Sequence, residues 1–436
     1  MTEIATGLWG LALLFVLIAL RFPIGLAMIG VSFGGLYLLG GWRVAWGSMG
    51  ILPFNFAASW LLSSVPMFLL LGFICYHARL TEGLFRAARV WLQGLPGGLA
   101  IASVMGSAGF AAVSGSSIAC SATMGRIAVP EMTKAGYHPE LATGTVAVAG
   151  TIGALIPPSV IMLIYAVIAQ VPVTSLFLTG ILAGLLTAVG YIVVILIRIR
   201  INPALAPRDG NPYTLRDRLL MTRDTWPIVI IMLGVFAGLF GGIFTATEAG
   251  AVGAFLATLV ALLKRTLTLK VLIAAITDTV LTTSTMIIIG VGATVLTRFL
   301  AFSGAGDFLG ELVMGATSDP VVIMLGLVVL YVFLGLFLEP VGAMLLTLPL
   351  VLPIVKDAGF DLIWFGIILT KLLEIGMVTP PVGMNVFVIK GVVGNLVTTS
   401  QIFRGIGWFL LMDFVILAIL IVFPDLVLFP LGLTGD

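Results

Sequence analysis

Two proline pairs interrupt hydrophobic segments at matching places in this chain. The first pair, Pro157-Pro158, lies in the sequence GALIPPSV, and the second, Pro380-Pro381, lies 223 residues later in GMVTPPVG. The same offset of 223 relates VPEMTKAGY, which begins at residue 129, to LPIVKDAGF, which begins at residue 352. Because one offset relates both pairs of motifs, the pattern predicts an internal duplication in which each half carries an interrupted helix.

The composition places both halves in a lipid bilayer. Hydrophobic residues make up 60% of the 436 residues and charged ones 9%, whereas soluble domains carry about 25% charge. The apolar runs are long and continuous, so we expect an all-α polytopic membrane protein. The net charge of +2 favours no nucleic-acid role. Cys75 and Cys120 lie in apolar sequence without metal-ligand spacing, and neither indicates a structural disulfide.

The basic residues predict the orientation. The first apolar run carries Glu3 before it and Arg21 after it, which is not the pattern of a cleaved signal peptide. The positive-inside rule places the N-terminus outside and, by alternation, the C-terminus outside as well. We therefore expect a multi-pass membrane protein with both termini on the outer side. The family resemblance given below implies that this membrane is a bacterial inner membrane, so that both termini would lie in the periplasm.

One polar stretch with three prolines, residues 198–224, divides the chain and is predicted to be a cytoplasmic connector. Residues 1–197 then form a first repeat and residues 225–436 a second, and the alternation of segments predicts that the second is inverted. The predicted hairpins are residues 98–130 and 321–353, and the predicted broken helices are residues 140–169 and 361–389.

The proline pairs predict free backbone carbonyls. A proline removes one donor and frees the carbonyl four residues earlier, so Pro157 and Pro158 should free those of Gly153 and Ala154. In the second half, the carbonyls of Gly376 and Met377 should be free. Such carbonyls are tolerated at membrane depth only inside protein or beside a cavity. They suit a sodium ion, although a packing kink is the alternative for each pair.

The hairpin tip that accompanies the first break reads Ser114-Gly115-Ser116-Ser117. Its hydroxyls and carbonyls suit a cation, and its N–H groups at a helix start suit an anion; helix packing by serine is the alternative. At the same offset the second half has Leu338-Glu339-Pro340, which predicts a chemically different second site. Paired interrupted helices of this kind indicate the binding site of a secondary transporter.

Several other charged residues have a structural explanation as the alternative to a role in transport. Lys371 and Glu374 are three residues apart and can pair on one helix face, either as a static ion pair that orients the second broken helix or with a role in transport. Glu248 is expected to cap or pair at a helix end rather than to act in transport. Residues 80–93 are amphipathic and predict an interfacial helix that links two parts of the protein.

Four stretches together resemble the large membrane subunit, DctM type, of tripartite ATP-independent periplasmic (TRAP) transporters. They are SGSSIACSATMGRIAVPEMTKAGYH from residue 114, LATGTVAVAGTIGALIPPSVIMLIYAVI from 141, TATEAGAVGAF from 245 and EIGMVTPPVGMNVFVIKGVV from 374. The resemblance covers essentially the whole chain, with Ala246 in place of an expected proline. It implies an elevator-type symporter of organic acids such as carboxylates, coupled to sodium ions and without an organic cofactor. It also implies two partners, a small four-helix membrane subunit (DctQ type), expected here as a separate chain, and a periplasmic substrate-binding protein.

The resemblance also implies site residues. A first sodium site would comprise Ser114, Gly115, Ser116, Ser117, Thr151, Gly153, Pro157 and Pro158. A second would comprise Glu339, Pro340, Gly342, Gly376, Thr379, Pro380, Pro381, Gly383 and Asn385. The substrate would lie between the tips, near Ser116 and Glu339.

Three alternatives stay open. A sodium/dicarboxylate symporter that needs no binding protein has a similar hairpin design. An ion channel would need a continuous polar pore, which two hairpins suit less well. An enzyme is disfavoured because no metal motif, nucleophile elbow or histidine base is visible, so no catalytic residue is predicted. The sequence does not identify the organic acid.

Overall fold

The computed structural model describes residues 2–207, 213–317 and 319–432, and these ranges contain twenty α-helices and no strand. Residues 208–212 of the predicted connector and the last four residues lie outside the described residues. Nine helices precede the connector: α1 Glu3–Ala19, α2 Ile24–Ala57, α3 Ser64–His77, α4 Glu82–Leu92, α5 Gly98–Ser114, α6 Ser117–Lys134, α7 Pro139–Ala149, α8 Val160–Ala169 and α9 Val173–Ile201.

Eleven further helices run from the connector to residue 432. They are α10 Leu215–Arg223, α11 Trp226–Phe240, α12 Ala246–Leu263, α13 Leu269–Ser303, α14 Ala305–Ala316, α15 Pro320–Gly335, α16 Pro340–Asp357, α17 Leu362–Val378, α18 Met384–Val393, α19 Thr399–Val422 and α20 Pro424–Gly432. The sequence predicts an all-helical membrane fold, and the structure confirms this fold class.

The helix bounds recur at the offset of the sequence motifs. α16 begins and ends 223 residues after α6, and α11 and α14 begin 223 residues after α1 and α4. The turns that follow α6 and α16 each hold a glycine with positive φ, Gly136 at 81° and Gly359 at 75°. The duplication seen in the sequence is therefore also present in the local structure, while the inverted relation of the halves stays a prediction.

Both predicted hairpins are helix pairs. The first, predicted over 98–130, consists of α5 and α6 and ends at Lys134; the second, predicted over 321–353, consists of α15 and α16 and ends at Asp357. Both helices continue about a turn further than predicted, because Pro130 and Pro353 lie within them rather than ending them. The two broken helices are α7 with α8, and α17 with α18.

The two longest of the described helices, α2 and α13, pack against each other. α2 extends over 34 residues, and Gly41 interrupts it with φ 72°. Trp42 and Trp46 stack directly after this break, with ring centroids 5.3 Å apart. α2 crosses α13 at small residues, since a Cβ on Gly292 would lie 2.9 Å from the Gly25 carbonyl oxygen.

Within the described residues, seven helices are long and apolar enough to cross a membrane, or eight if α10 and α11 form one bent span. Their outer faces expose large apolar side chains; Leu38, for example, is 73% exposed. Exposed apolar surface of this extent is expected where lipid, not water, is the solvent. The chain is therefore a multi-pass membrane protein.

The amphipathic segment predicted over residues 80–93 forms α4. Its apolar face is buried at Phe85 and Val90, and Arg89 donates to Glu131 of α6 at 2.6 Å. Trp91 donates to Thr222 of α10 at 2.8 Å. α4 thus connects the first hairpin to α10, a helix that lies within the predicted connector.

The two halves interlock through small residues. A Cβ on Gly405 of α19 would lie 2.0 Å from the Glu140 carbonyl oxygen, and one on Gly144 of α7 would lie 2.6 Å from the Gly405 carbonyl carbon. The backbones of α7 and α19 therefore touch, and a helix of the second half is packed against the broken helix of the first.

Candidate functional site

The first hairpin tip is a tight turn between α5 and α6. Gly115 ends α5 with φ 60°, a left-handed conformation that glycine adopts without steric cost. Ser116 then caps α6, because its hydroxyl accepts a hydrogen bond from the Ala119 N–H at 3.3 Å. The Ser114 hydroxyl oxygen is buried without a hydrogen-bond partner.

The first break lies between α7 and α8. The chain tightens into a 3₁₀ turn over Gly150–Ala154, passes Pro157-Pro158, and re-enters a helix at Ser159, whose hydroxyl accepts from Met162 N–H. Among the described backbone hydrogen bonds, none ends on the carbonyl of Gly153 or Ala154. This observation matches the effect predicted for the proline pair.

The tip and the break are in contact. A Cβ on Gly115 would lie 2.2 Å from the Pro158 carbonyl oxygen, and one on Gly153 would lie 3.1 Å from the Ser116 carbonyl oxygen. The structure therefore brings most of the predicted first site together. Two hydroxyls of the set are bonded elsewhere. That of Thr151 bonds the Val148 carbonyl at 2.7 Å and lies 2.9 Å from the Tyr191 hydroxyl of α9, and that of Ser117 donates to Glu374 at 2.9 Å.

The second tip replaces serine by a different capping group. Glu339 caps α16, its two carboxylate oxygens accepting from Val341 N–H at 3.1 Å and Gly342 N–H at 3.2 Å. Pro340 occupies the first helical position, where a missing N–H costs nothing. Glu339 and Ser116 are thus matching N-caps, which explains how a carboxylate and a proline substitute for two serines.

The second break differs from the first in exposure. Pro380 and Pro381 are exposed, whereas Pro157 and Pro158 are buried. The prediction that the Gly376 carbonyl is free is wrong. The Thr379 N–H donates to this carbonyl at 3.2 Å, because the last turn of α17 is tighter than the rest of the helix. Among the described backbone hydrogen bonds, none ends on the Met377 carbonyl.

The remaining residues predicted for the second site contact different parts of the protein. Gly376 packs on the hairpin, since its Cβ would lie 2.5 Å from the Gly335 Cα. Gly383 precedes α18 with φ 58°. The Asn385 amide nitrogen donates to the Ala147 carbonyl of α7 at 3.5 Å, so this side chain faces the first broken helix.

Both tips line one cavity of about 510 Å³. Ser116 and Ser117 contribute from the first tip, and Glu339 and Pro340 from the second. Helices α3 and α13 supply further wall residues, namely Leu69, Phe73, Tyr76, Thr282, Thr285, Met286 and Ile289. The cavity is mainly apolar with a few convergent polar groups, which is typical of a small-molecule site.

The predicted ion pair of Lys371 with Glu374 is wrong. Lys371 instead donates to Asp413 of α19 at 2.5 Å and to Thr187 of α9 at 3.2 Å. The Tyr191 hydroxyl also donates to Asp413, at 2.8 Å. Glu374 accepts from Ser117 of the first hairpin at 2.9 Å. Helix spacing permits the predicted pair, but α17 packs between other helices and each charge faces a different one.

The sequence matches a known family, described as "Tripartite ATP-independent periplasmic transporter, DctM component", over residues 11–426. The chain belongs to the DctM family. It is 33% identical to the C4-dicarboxylate TRAP transporter large permease protein DctM of Vibrio cholerae over 408 residues, which cover 87% of this chain and 89% of that protein. It is 30% identical to the sialic acid large permease SiaM of the same organism, covering 93% of this chain and 94% of that protein.

Two further comparisons are with a longer relative and with a solved structure. An isethionate TRAP permease, DctMQ of Oleidesulfovibrio alaskensis, is 31% identical over 88% of this chain, and the match spans 60% of that longer protein. The crystal structure of the YdaH transporter of Alcanivorax borkumensis superposes with a TM-score of 0.58 at 15% identity, covering 85% of this chain and 89% of that one. The DctM family chain therefore shares its fold with a transporter of unrelated sequence.

Arg126 of this DctM family chain is a charged residue beside the cavity that the sequence motifs did not indicate. This residue lies on α6, and its guanidinium carbon lies 5.9 Å from the centre of the Tyr76 ring. Tyr76 lines the main cavity and also an adjoining pocket that contains Arg126, His77 and Arg79. The signal was available, since an arginine within a predicted membrane hairpin indicates function by default.

Proposed function

We propose that this DctM family chain is the large subunit of a sodium-coupled secondary transporter that imports an organic acid. The observation that carries the proposal is the single cavity lined by both hairpin tips, at Ser116 and at Glu339. A substrate bound there contacts elements of both halves. An elevator movement of the hairpins and broken helices relative to the scaffold would carry the substrate across the bilayer.

Free oxygens at the first tip support sodium coupling. The carbonyls of Gly153 and Ala154 and the hydroxyl of Ser114 all lack a hydrogen-bond partner among the described residues. Hard oxygen ligands on an interrupted membrane helix are typical sodium ligands in such carriers. The second tip, at Glu339 and Gly342, and the second break, at 376–383, would hold a second ion.

Positive potential at the first tip supports an anionic substrate. The N-terminus of α6 opens at Ser117 on the cavity wall, whereas the Glu339 carboxylate already accepts from the N–H groups of Val341 and Gly342 at the start of α16. Helix N-termini carry partial positive charge and unpaired N–H groups, which attract carboxylates. Arg126 adds a full positive charge in the adjoining pocket.

Membership of the DctM family supports a proposal that this chain works with two partner proteins. DctM components are one part of a tripartite system, and the isethionate relative is named DctMQ. We infer that this chain works in the inner membrane with a small DctQ-type subunit. A periplasmic substrate-binding protein would deliver the organic acid.

The experiment is uptake of a labelled organic acid into proteoliposomes that contain this chain and its small subunit. An inward sodium gradient should drive uptake only when the binding protein is present, and Ser114→Ala should raise the sodium concentration for half-maximal uptake. Ser103→Ala is the matched control. This buried hydroxyl of the same hairpin lies away from the tip, where it donates to the Leu99 carbonyl of its own helix and contacts the Met132 sulfur of α6.

Two results would refute this function. Uptake by the chain without a binding protein would identify the independent symporter. Uptake without a sodium gradient and at the same rate in choline would refute the coupling.

A further inference from the structure

Glu374 is a buried carboxylate without a cationic partner. It lies on α17, one turn before the helix ends, and is 1% exposed. Lys371 is committed to Asp413, and no described ion pair includes Glu374. A buried charge is strongly disfavoured unless it is paired.

The hydrogen bonds of Glu374 compensate its charge only in part. Ser117 donates to Oε1 from the first turn of α6, where the helix dipole also favours an anion. The other oxygen, Oε2, is buried and has no hydrogen-bond partner. The carboxylate also lies near the C-terminus of its own helix, where the dipole disfavours negative charge.

Two neutral oxygens nearby are also buried without partners, namely Ser121 Oγ and Asn385 Oδ1. Hydroxyls in this protein usually bond the carbonyl four residues earlier, as Thr123 and Thr133 do on the same helix. The Ser121 hydroxyl does not, although it has the same opportunity. An unbonded buried hydroxyl is costly, and what distinguishes Ser121 from other such hydroxyls, for example Ser107, is its position one turn after the residue that bonds Glu374.

The fold places the residues that carry these oxygens on neighbouring helix turns. Ser121 lies one turn after Ser117, the residue that bonds Glu374. A Cβ on Gly150 would lie 1.9 Å from Ser121 Oγ and 3.0 Å from the Ser117 carbonyl oxygen, so the Ser121 hydroxyl packs directly against the 3₁₀ turn at a position that only glycine can occupy.

Asn385 approaches from α18. One turn after Asn385, Ile389 lies 2.9 Å from a Cβ built on Gly125, which is itself one turn after Ser121. The amide of Asn385 bonds Ala147, one turn before Gly150. Helices α6, α17 and α18 therefore meet at the end of α7.

We propose a further monovalent cation site at this junction, with Glu374 Oε2, Ser121 Oγ and Asn385 Oδ1 as ligands and sodium as the ion. One carboxylate with neutral oxygens matches a single positive charge, and hard oxygens suit sodium. The site rests on the proposed sodium coupling and adds an ion to the two placed at the tips. It assigns Asn385 here rather than to the second tip.

The test counts bound sodium. Purified wild type, Glu374→Gln and Ser121→Ala are compared for ²²Na⁺ bound per chain by equilibrium dialysis, and for thermal unfolding in sodium against choline chloride. Glu374→Gln should bind one sodium fewer than wild type and be at least as stable in choline, because the amide needs no counter-ion. Ser121→Ala should lower the affinity for one of the bound sodium ions roughly five- to tenfold, whereas Ser103→Ala should bind sodium as wild type does.

The outcomes separate the two proposals. Equal sodium stoichiometry in wild type and Glu374→Gln, or unchanged affinity in Ser121→Ala, overturns the further site and leaves the tip sites intact. A wild type that binds no sodium at all refutes the proposed function itself. If Glu374→Gln does not fold, Ser121→Ala decides alone.

Discussion

Replacing Gly115 by alanine should separate the first hairpin tip from the first break. Two costs arise: the left-handed conformation, at φ 60°, and a Cβ placed 2.2 Å from the Pro158 carbonyl oxygen. The conformational cost is about 1–2 kcal/mol. To reach even 3.0 Å, the oxygen and the tip must move apart by 0.8 Å, from 2.2 Å. This exceeds the tolerance of about 0.5 Å for a binding site.

Gly359→Ala is the matched control. Gly359 has φ 75° and no heavy atom within 4 Å of its built Cβ, so the variant carries the conformational cost without the clash. Both variants should unfold at lower temperature than wild type in detergent. Only Gly115→Ala should lose sodium-dependent uptake and most of the stabilisation that sodium gives, measured by uptake into proteoliposomes and by melting in sodium against choline.

Wild-type uptake and sodium dependence in Gly115→Ala would refute this reasoning. The contact between tip and break would then be incidental to ion binding. An equal loss of uptake in Gly359→Ala would also refute it, because the backbone conformation alone would then account for the effect.

Three other substitutions test separate parts of the structure. Lys371→Met should destabilise the protein by about 3–5 kcal/mol in denaturant unfolding, because it leaves a buried carboxylate unpaired, and adding Asp413→Leu should recover at least half of that loss; a double variant no better than the single one contradicts the pairing. Arg126→Gln should raise the substrate concentration for half-maximal uptake roughly three- to tenfold without altering sodium dependence, and an unchanged value would exclude Arg126 from substrate binding. Glu339→Ala should cost about 1 kcal/mol of stability through the lost cap, and Glu339→Ser should restore it as Ser116 does for α6; equal melting of the two variants would show that the cap is unimportant.

Local signals in the sequence predicted much of the fold. Proline pairs, glycines and polar tips determine the backbone within a few residues, so both helix breaks and both hairpins were predicted close to their observed bounds. The capping role of Glu248 is also local and is confirmed, since it completes a capping box with Thr245. Chemistry that neighbouring residues supply can be deduced from the sequence alone.

Contacts between distant segments were not predictable in the same way. Lys371 had a partner of opposite charge three residues away, yet it pairs with Asp413, 42 residues further along. Glu374 bonds Ser117, which is 257 residues distant. Helix periodicity gives the face on which a side chain lies but not the helix that covers that face. The different exposure of the two proline pairs likewise depends on tertiary packing.

The interlocking of α7 with α19 has a consequence for how such a chain arose. The backbone contact between Gly144 and Gly405 joins residues of different halves, and so does the bond from Asn385 to Ala147. One half alone would leave its broken helix uncovered along this surface. A single-repeat ancestor would therefore have needed a second copy of itself to complete its broken helix. Gene fusion would then have made that pairing permanent and allowed the copies to diverge, as Ser116 and Glu339 have.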